Sequence, residues 1–482
     1  MSSSAAMRKS IPMQRKKFLQ LSAATAASFG FSGFSSKQRS FPVVRTAPSL
    51  RKFRSEAVEN VIRDVSRKTG NKEIAWLFEN CFPNTLDTTV DFQVVNGRPD
   101  TYVITGDIDA MWLRDSSAQV WPYLPLCDED EHLQQLIKGV INRQVQCILK
   151  DPYANAFYKD ETRISEWKET DITDMKPGVH ERKWEIDSLC YPVRLAHGYY
   201  TATGDKSAFD NEWAGAMKLI IQTFREQQRF NGHGPYSFQR KTAWATDGVA
   251  MGGYGYPAKP NGLICSMFRP SDDATIFSYL ISSNFFAVQS LSQMAALAKA
   301  SGRGELAADA TMLMNEVKKA LDESAVVDTK QWGKIYAFEV NGFGSFNLMD
   351  DANIPSLLSL PYLGAVATND VVYQNTRKYI LSDGNPFYFK GKAGEGIGGP
   401  HIGLHMIWPM SIIMRGLTSH DDAEIKLCLD MLRRTHGDTG FMHESFHQDD
   451  PSKYTRKWFA WANTLFGEFV WHIYREKPGL LA

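Results

Sequence analysis

Ala202-Thr203-Gly204-Asp205 interrupts two stretches of helical periodicity, Asp187 to Thr203 before it and Ala208 to Phe230 after it, and its reading decides the fold. Glycine at the end of a periodic run supplies the left-handed conformation that stops a helix without a Cβ penalty. The same punctuation recurs at Lys68-Thr69-Gly70-Asn71 and at Ala300-Ser301-Gly302-Arg303, the latter between Asp273 to Ala300 and Glu305 to Leu321. Thr418-Ser419-His420 marks a fourth junction. Each pair of segments is long enough for an antiparallel helical hairpin. With roughly 60 to 75 residues per hairpin and its loop, about six fill the chain, which predicts an all-α toroid of paired helices. Lys334 to Phe346 departs from this pattern: it alternates and carries Gly342 and Gly344, so it reads as a small β insert.

The first forty residues differ in composition from the rest. Arg8, Lys9, Arg15, Lys16 and Lys17 precede an Ala/Ser-rich run from Phe18 to Phe34 without an acidic residue. Residues 1–40 therefore read as an export signal and linker, with a twin-arginine-like Arg15-Lys16-Lys17, and residues 50–482 as a single domain. The expected location is periplasmic or extracellular. No later stretch approaches the twenty or so uninterrupted apolar residues of a membrane span. The 54 basic and 54 acidic residues balance, so no global field would draw in nucleic acid or an anionic membrane. Cys81, Cys127, Cys147, Cys190, Cys265 and Cys428 lie singly, outside any zinc or redox pair, and read as core residues or occasional disulfides. Aromatic residues make up 12% of the chain; most belong to a core, but flat rings with a polar edge also suit sugar faces.

Four segments between the helices concentrate chemistry, as loops on a rigid scaffold do. Thr105-Gly106-Asp107-Ile108-Asp109-Ala110-Met111-Trp112-Leu113-Arg114-Asp115-Ser116 crowds acids, an Arg and a Trp at a helix start. A helix cap with an Arg–Asp pair would account for the charges. A sugar subsite accounts for the residue types together: Asp109 and Asp115 accept from hydroxyls, Arg114 donates, and Trp112 covers a ring. Phe268-Arg269-Pro270-Ser271-Asp272-Asp273-Ala274 reads as a helix opening, with Ser271 as N-cap and both acids in the first turn. The long preceding loop around Tyr254-Gly255-Tyr256-Pro257 exceeds what a cap needs.

Gly437-Asp438-Thr439-Gly440-Phe441-Met442-His443-Glu444-Ser445-Phe446-His447 contains His-Glu-x-x-His, the zinc-protease pattern, and Glu468 could be nominated as a third ligand. Chelation requires both histidines on one face of a continuous helix. Gly437 and Gly440 upstream and Asp449-Asp450-Pro451 downstream leave room for little helix, so the match is coincidental and Glu444 remains as an acid in a loop. Gly394-Glu395-Gly396-Ile397-Gly398-Gly399-Pro400-His401 has the wrong glycine spacing for a phosphate loop. It reads as a pocket wall leading to His405 and Trp408, with His401 and His405 as candidate hydroxyl partners.

Together and in this order, these segments resemble glycoside hydrolase family 125, the exo-acting α-1,6-mannosidases. The likeness runs from about residue 50 to the C-terminus and includes Trp458-Phe459-Ala460-Trp461-Ala462-Asn463. It implies an (α/α)6 barrel and an inverting, metal-independent hydrolase that needs no cofactor and acts on α-mannoside glycans. It also implies that the acid is one of Asp272 and Asp273, with Asp272 favoured, and that Glu444 is the base. Roughly 6.5–9.5 Å between the two carboxyl groups would admit the attacking water. The expected sugar contacts are Asp109, Trp112, Arg114, Asp115, Asp187, Arg269, His401 and Trp408, with Glu185 of Trp184-Glu185-Ile186-Asp187 a further candidate. Three other readings compete: a toroidal polysaccharide lyase or epimerase, a non-catalytic glycan-binding protein, and the metalloprotease. Residue chemistry alone reaches only a sugar-cleaving pocket and leaves oligomeric state open.

Overall fold

The computed structural model describes residues 41–482; the expected export signal, including Arg15-Lys16-Lys17, lies outside the described residues. Val43–Ala482 forms one contact-dense unit. Its longer helices are α1 (Glu56–Lys68), α2 (Lys72–Cys81), α3 (Leu113–Val120), α4 (Glu131–Lys150), α5 (Ile186–Thr203) and α6 (Asn211–Gln227). They continue with α7 (Ile281–Ala300), α8 (Gly304–Ser324), α9 (Val371–Ile380), α10 (Pro409–Leu417), α11 (Asp422–Arg434) and α12 (Ala460–Glu476).

Each punctuated tetrapeptide separates two helices. Gly204 ends α5 at φ +67°, and the Asp210 side chain then caps α6 by accepting from the Trp213 N–H at 2.9 Å. Asn71, directly after Gly70, caps α2 through the Glu73 and Ile74 amides. Asp421 caps α11 in the same way. Consecutive helices pack as pairs, α1 with α2, α7 with α8 and α10 with α11. Across pairs, α12 packs on α3, α3 on α5, α5 on α7, and α10 on α12, while α4, α6 and α8 lie in succession outside them. The inner helices are apolar on more than one side: α7 and α12 bury most of their residues. All six cysteines are buried free thiols within this core.

Short sheets occupy the loops. Asn96-Gly97, both at positive φ, turn a hairpin that the helical reading passed over, Val90–Val95 with Arg98–Val103. The expected insert at residues 334–346 spans parts of two hairpins, Val326–Thr329 with Gly333–Tyr336 and Glu339–Val340 with Phe346–Asn347.

One expected helix start is wrong. α7 begins at Ile281, and Ser271, Asp272 and Asp273 lie in a tight turn ahead of it. The Arg269 amide donates to the Asp273 carbonyl at 2.8 Å, and the Asp272 amide to the Arg269 carbonyl at 2.9 Å. Asp272 sits at φ +66°, a conformation that aspartate tolerates better than most residues and that a helix excludes. The Ser271 hydroxyl bonds the Asp273 carboxylate at 3.3 Å instead of capping a helix.

The His-Glu-x-x-His segment is not helical. Ser445–His447 is the central strand of a three-stranded sheet, between Met406–Ile407 and Asp450–Thr455. Four residues along an extended chain span about 13 Å. His443 and His447 therefore lack the one-turn spacing of a zinc pair. Glu468 lies on α12 and accepts from the Tyr362 hydroxyl at 3.0 Å.

Candidate active site

Arg114, in the first turn of α3, organises one half of the site. Its guanidinium meets Glu185 at 2.7 Å, Asp187 at 3.0 Å, Asp272 at 3.1 Å and Asp115 at 3.7 Å. Three separate chain segments converge here: the start of α3, the start of α5 and the turn before α7. Burial pushes the Asp115 carboxyl up to about 6 against the pull of Arg114. Burial likewise raises Asp187, and raises Glu185 well above the ordinary carboxyl range. Asp272 behaves oppositely: burial is the largest influence and opposes its charge, but Arg114, Lys183 and Glu185 together outweigh it and hold the carboxyl below its usual value.

The turn separates its two acids. The Asp272 side chain retains 22% exposure, whereas that of Asp273 has 0%. Asp273 faces His401 Nδ1 at 3.6 Å, an ion pair beyond hydrogen-bond range. Burial disfavours the His401 cation, yet Asp273, with Glu444 and Asp272 beyond it, pushes the imidazole up to about 9. Arg269, behind the turn, is locked to Glu339 at 2.7 Å. The other Glu339 oxygen accepts from the Ile276 and Phe277 amides, so this pair fixes the chain between the turn and α7.

Glu444 comes from another segment, and its charge also acts on His401. The Met442 amide donates to Asn463 Oδ1 at 2.8 Å, and Asn463 Nδ2 donates to the Phe459 carbonyl at 2.9 Å, which ties the Glu444 segment to the start of α12. The His443 ring stacks on Tyr454 with centroids 3.7 Å apart. Burial takes the His443 imidazole down to about 4, so it is neutral at physiological pH. Arg456 lies 3.7 Å from Glu444 and donates through Nε to Asp107 at 2.9 Å. Gly106 lets the Asp107 loop meet the segment before α12: it sits at φ +132°, and a Cβ there would lie 2.5 Å from the Trp458 carbonyl.

The indole nitrogens of Trp112, Trp408 and Trp458 are buried and have no hydrogen-bond partner in the protein. Trp408 lies beside His401 and Phe459, at centroid distances of 6.4 and 6.1 Å. Ring faces and unsatisfied donors next to paired acids are the materials of a sugar site.

The structure thus gathers Arg114, Asp115, Asp187, Asp272, Asp273, His401, Trp408 and Glu444. Three expected sugar contacts sit differently. Asp109 is 73% exposed and pairs with Arg163 at 2.9 Å, outside the Arg114 cluster. Asp187 is fully buried beneath Arg114, and Arg269 is enclosed with Glu339, so each holds another group in place. His405, at φ +66°, stands against Phe389 and His447. The sequence reading passed over Lys183, whose ammonium donates to the Asp272 carbonyl at 2.8 Å and to Asp247 at 3.1 Å. It passed over Arg456 and Glu181 as well. Lys183 adjoins the Trp184-Glu185-Ile186-Asp187 stretch already singled out, and that adjacency was its one available signal.

A family model described as metal-independent alpha-mannosidase (GH125) matches residues 71–471. The meiotically up-regulated gene 157 protein of Schizosaccharomyces pombe is 43% identical over 457 residues, 91% of this chain and 90% of that protein. A metal-independent α-mannosidase from Streptococcus pneumoniae, solved as a non-productive complex with α-1,6-mannobiose, superposes with a TM-score of 0.85 at 41% identity. That match covers 88% of this chain and all (100%) of the other. A bacterial glucoamylase complexed with acarbose aligns over 87% of this chain and 59% of its own, with a TM-score of 0.53 at 13% identity. At that identity the likeness concerns the fold alone.

Proposed function

The chain belongs to the metal-independent α-mannosidases of glycoside hydrolase family 125, and from that premise we propose that it removes non-reducing terminal α-1,6-linked mannose from glycans with inversion. The carrying observation is that two carboxylates from distant segments, Asp272 and Glu444, both act on the His401 imidazole, which lies beside Trp408, while Arg456 pairs with Glu444. The α-1,6 linkage follows from the mannobiose bound by the pneumococcal relative.

Asp272 is the acid and Glu444 the base. Of the two adjacent aspartates, Asp272 keeps an exposed carboxyl, while Asp273 is buried against His401. The Asp272 proton passes to the glycosidic oxygen as the bond to C1 breaks and its electron pair moves onto that oxygen. Glu444 takes a proton from a water on the opposite ring face, and the resulting oxygen bonds C1. Arg456 orients the Glu444 carboxylate, and Arg114 receives the negative charge that develops on Asp272.

The paired helices close into an (α/α)6 barrel in this reading, supported by the succession of α3, α5 and α7 and by the return of α12 onto α3. The catalytic domain is residues 50–482. We place the mature enzyme outside the cytoplasm, on the basic and Ala/Ser-rich composition of residues 1–40. Among the described residues no helix is long and apolar enough to cross a membrane.

The test is hydrolysis of an α-1,6-mannobioside in the presence of EDTA. Mannose is released, with the β-anomer appearing first by NMR, and Glu444→Gln reduces turnover by about 10³-fold or more while remaining folded. Activity lost on chelation, α-mannose as first product, or full activity in the variant would overturn the assignment.

A further inference from the structure

Four carboxylates, Asp115, Glu185, Asp187 and Asp272, surround the single guanidinium of Arg114. The neighbouring cations are committed elsewhere. Lys183 serves Asp247, Glu181 and the Asp272 carbonyl; Arg240 serves Asp171 and Glu181; Arg456 serves Asp107 and Glu444. Four negative charges, three of them buried, around one positive charge are too costly to coexist, so the group retains a proton.

Glu185 is the place for it. Its side chain has 0% exposure. Oε2 accepts from Arg114 at 2.7 Å and from the Ser188 hydroxyl at 2.8 Å. Oε1 is buried and receives no donor, as expected of a hydroxyl that donates rather than accepts. Arg114 brings the Glu185 and Asp272 carboxyl groups together, donating through one terminal nitrogen to Glu185 at 2.7 Å and through the other to Asp272 at 3.1 Å. We propose that Glu185 and Asp272 form a carboxyl–carboxylate pair sharing one proton, and that Glu185 is the positioning residue that keeps the catalytic proton on the acid side of the site.

This rests on the assignment of Asp272 as acid and deepens it. A lone carboxylate beside Arg114 and Lys183 would surrender its proton well below neutral pH. The raised affinity of Glu185 for a proton, caused chiefly by burial, offsets that loss for the pair as a unit. During cleavage the O–H bond held by the pair breaks and a bond to the glycosidic oxygen forms. The pair is then left with two negative charges beside Arg114. It regains a proton from solvent, while Glu444 returns to solvent the one taken from water, so the cycle balances.

Other groups facing Glu185 are Asp187, Arg114 and Tyr236. Glu185→Gln keeps the shape and the Arg114 contact but removes the shared proton. The kcat/KM for α-1,6-mannobiose is expected to fall about 10²-fold, and that for α-mannosyl fluoride, whose leaving group needs no proton, by only about threefold. The basic limb of the mannobiose pH profile moves to lower pH in Glu185→Gln, and Glu185→Asp restores it toward the wild-type position. Equal losses on both substrates with an unmoved basic limb would overturn the proposal. If Glu185→Gln does not fold, the wild-type enzyme and Glu185→Asp carry the test by infrared titration: a protonated-carboxyl band above neutral pH that shifts between the two proteins supports the pair, and identical carboxyl bands in both, as Asp350 and Glu468 alone would give, overturn it. Failure of wild-type enzyme to cleave mannobiose would instead sink the functional assignment, and the infrared band would still report on the pair.

Discussion

His401 makes the stability of this protein depend on alkaline pH in a way that can be measured. Its imidazole ordinarily titrates at 6.5 and is pushed to about 9 here, burial being outweighed by Asp273, Glu444 and Asp272. A pKa raised on folding means that the folded state binds the proton more tightly than the unfolded chain. The stabilisation is therefore fully present below 6.5 and is lost as pH rises through about 9. That rise corresponds to about 3 kcal/mol, and screening reduces it little because the Asp273 carboxylate is wholly buried. The perturbation is His401→Gln, which leaves Asp273 without its cation. Urea titrations followed by tryptophan fluorescence should show the variant less stable than wild type by about 3 kcal/mol near pH 6, with the two curves converging by about pH 9.5. The labelled His401 imidazole should titrate near 9 by NMR. Parallel stability curves across this range would refute the reasoning, since they would mean that the Asp273–His401 pair contributes no proton linkage.

Two further outcomes follow from packing and burial elsewhere. Gly467→Ala on α12 places a Cβ 2.7 Å from the Phe82 Cα, a backbone atom that cannot swing aside. Overpacking of about 1–3 kcal/mol should exceed the helix-propensity gain of about 1 kcal/mol, so urea titration should find the variant less stable, and an unchanged or higher midpoint would contradict the close packing of α12 on the Phe82 segment. Burial pushes the Glu468 carboxyl up to about 7 against Arg194 and Tyr362. Its protonated form is thus favoured by folding, and the corresponding stability is lost as pH rises from 4.5 through about 7. Glu468→Gln does not titrate, so its stability relative to wild type should increase over that range; a constant difference would show Glu468 to be ordinary.

The sequence by itself determined the helical scaffold, because the signals are local. Gly204 and Asp210 set the end of α5 and the start of α6 through backbone conformation and a cap that lie within a few residues of each other. It also denied zinc to His443 and His447, since glycines and a proline within one segment are enough to exclude a helix. The resemblance carried by the four motifs supplied mannose, which residue chemistry alone did not. The same local logic misread Ser271-Asp272-Asp273 as a helix start, because acids after a serine fit a cap and a positive-φ turn equally well. Only tertiary structure decided that Asp272 stays partly exposed beside Arg114 while Asp273 turns to His401, from an element far along the chain. It likewise decided that Asp187 supports Arg114, and that Lys183 and Arg456 hold Asp272 and Glu444. Electrostatic partnerships fall off over a few ångströms of space and carry no mark in sequence separation. Arg114 meets Asp272 at 3.1 Å because two loops converge, and no pattern along either loop encodes that meeting.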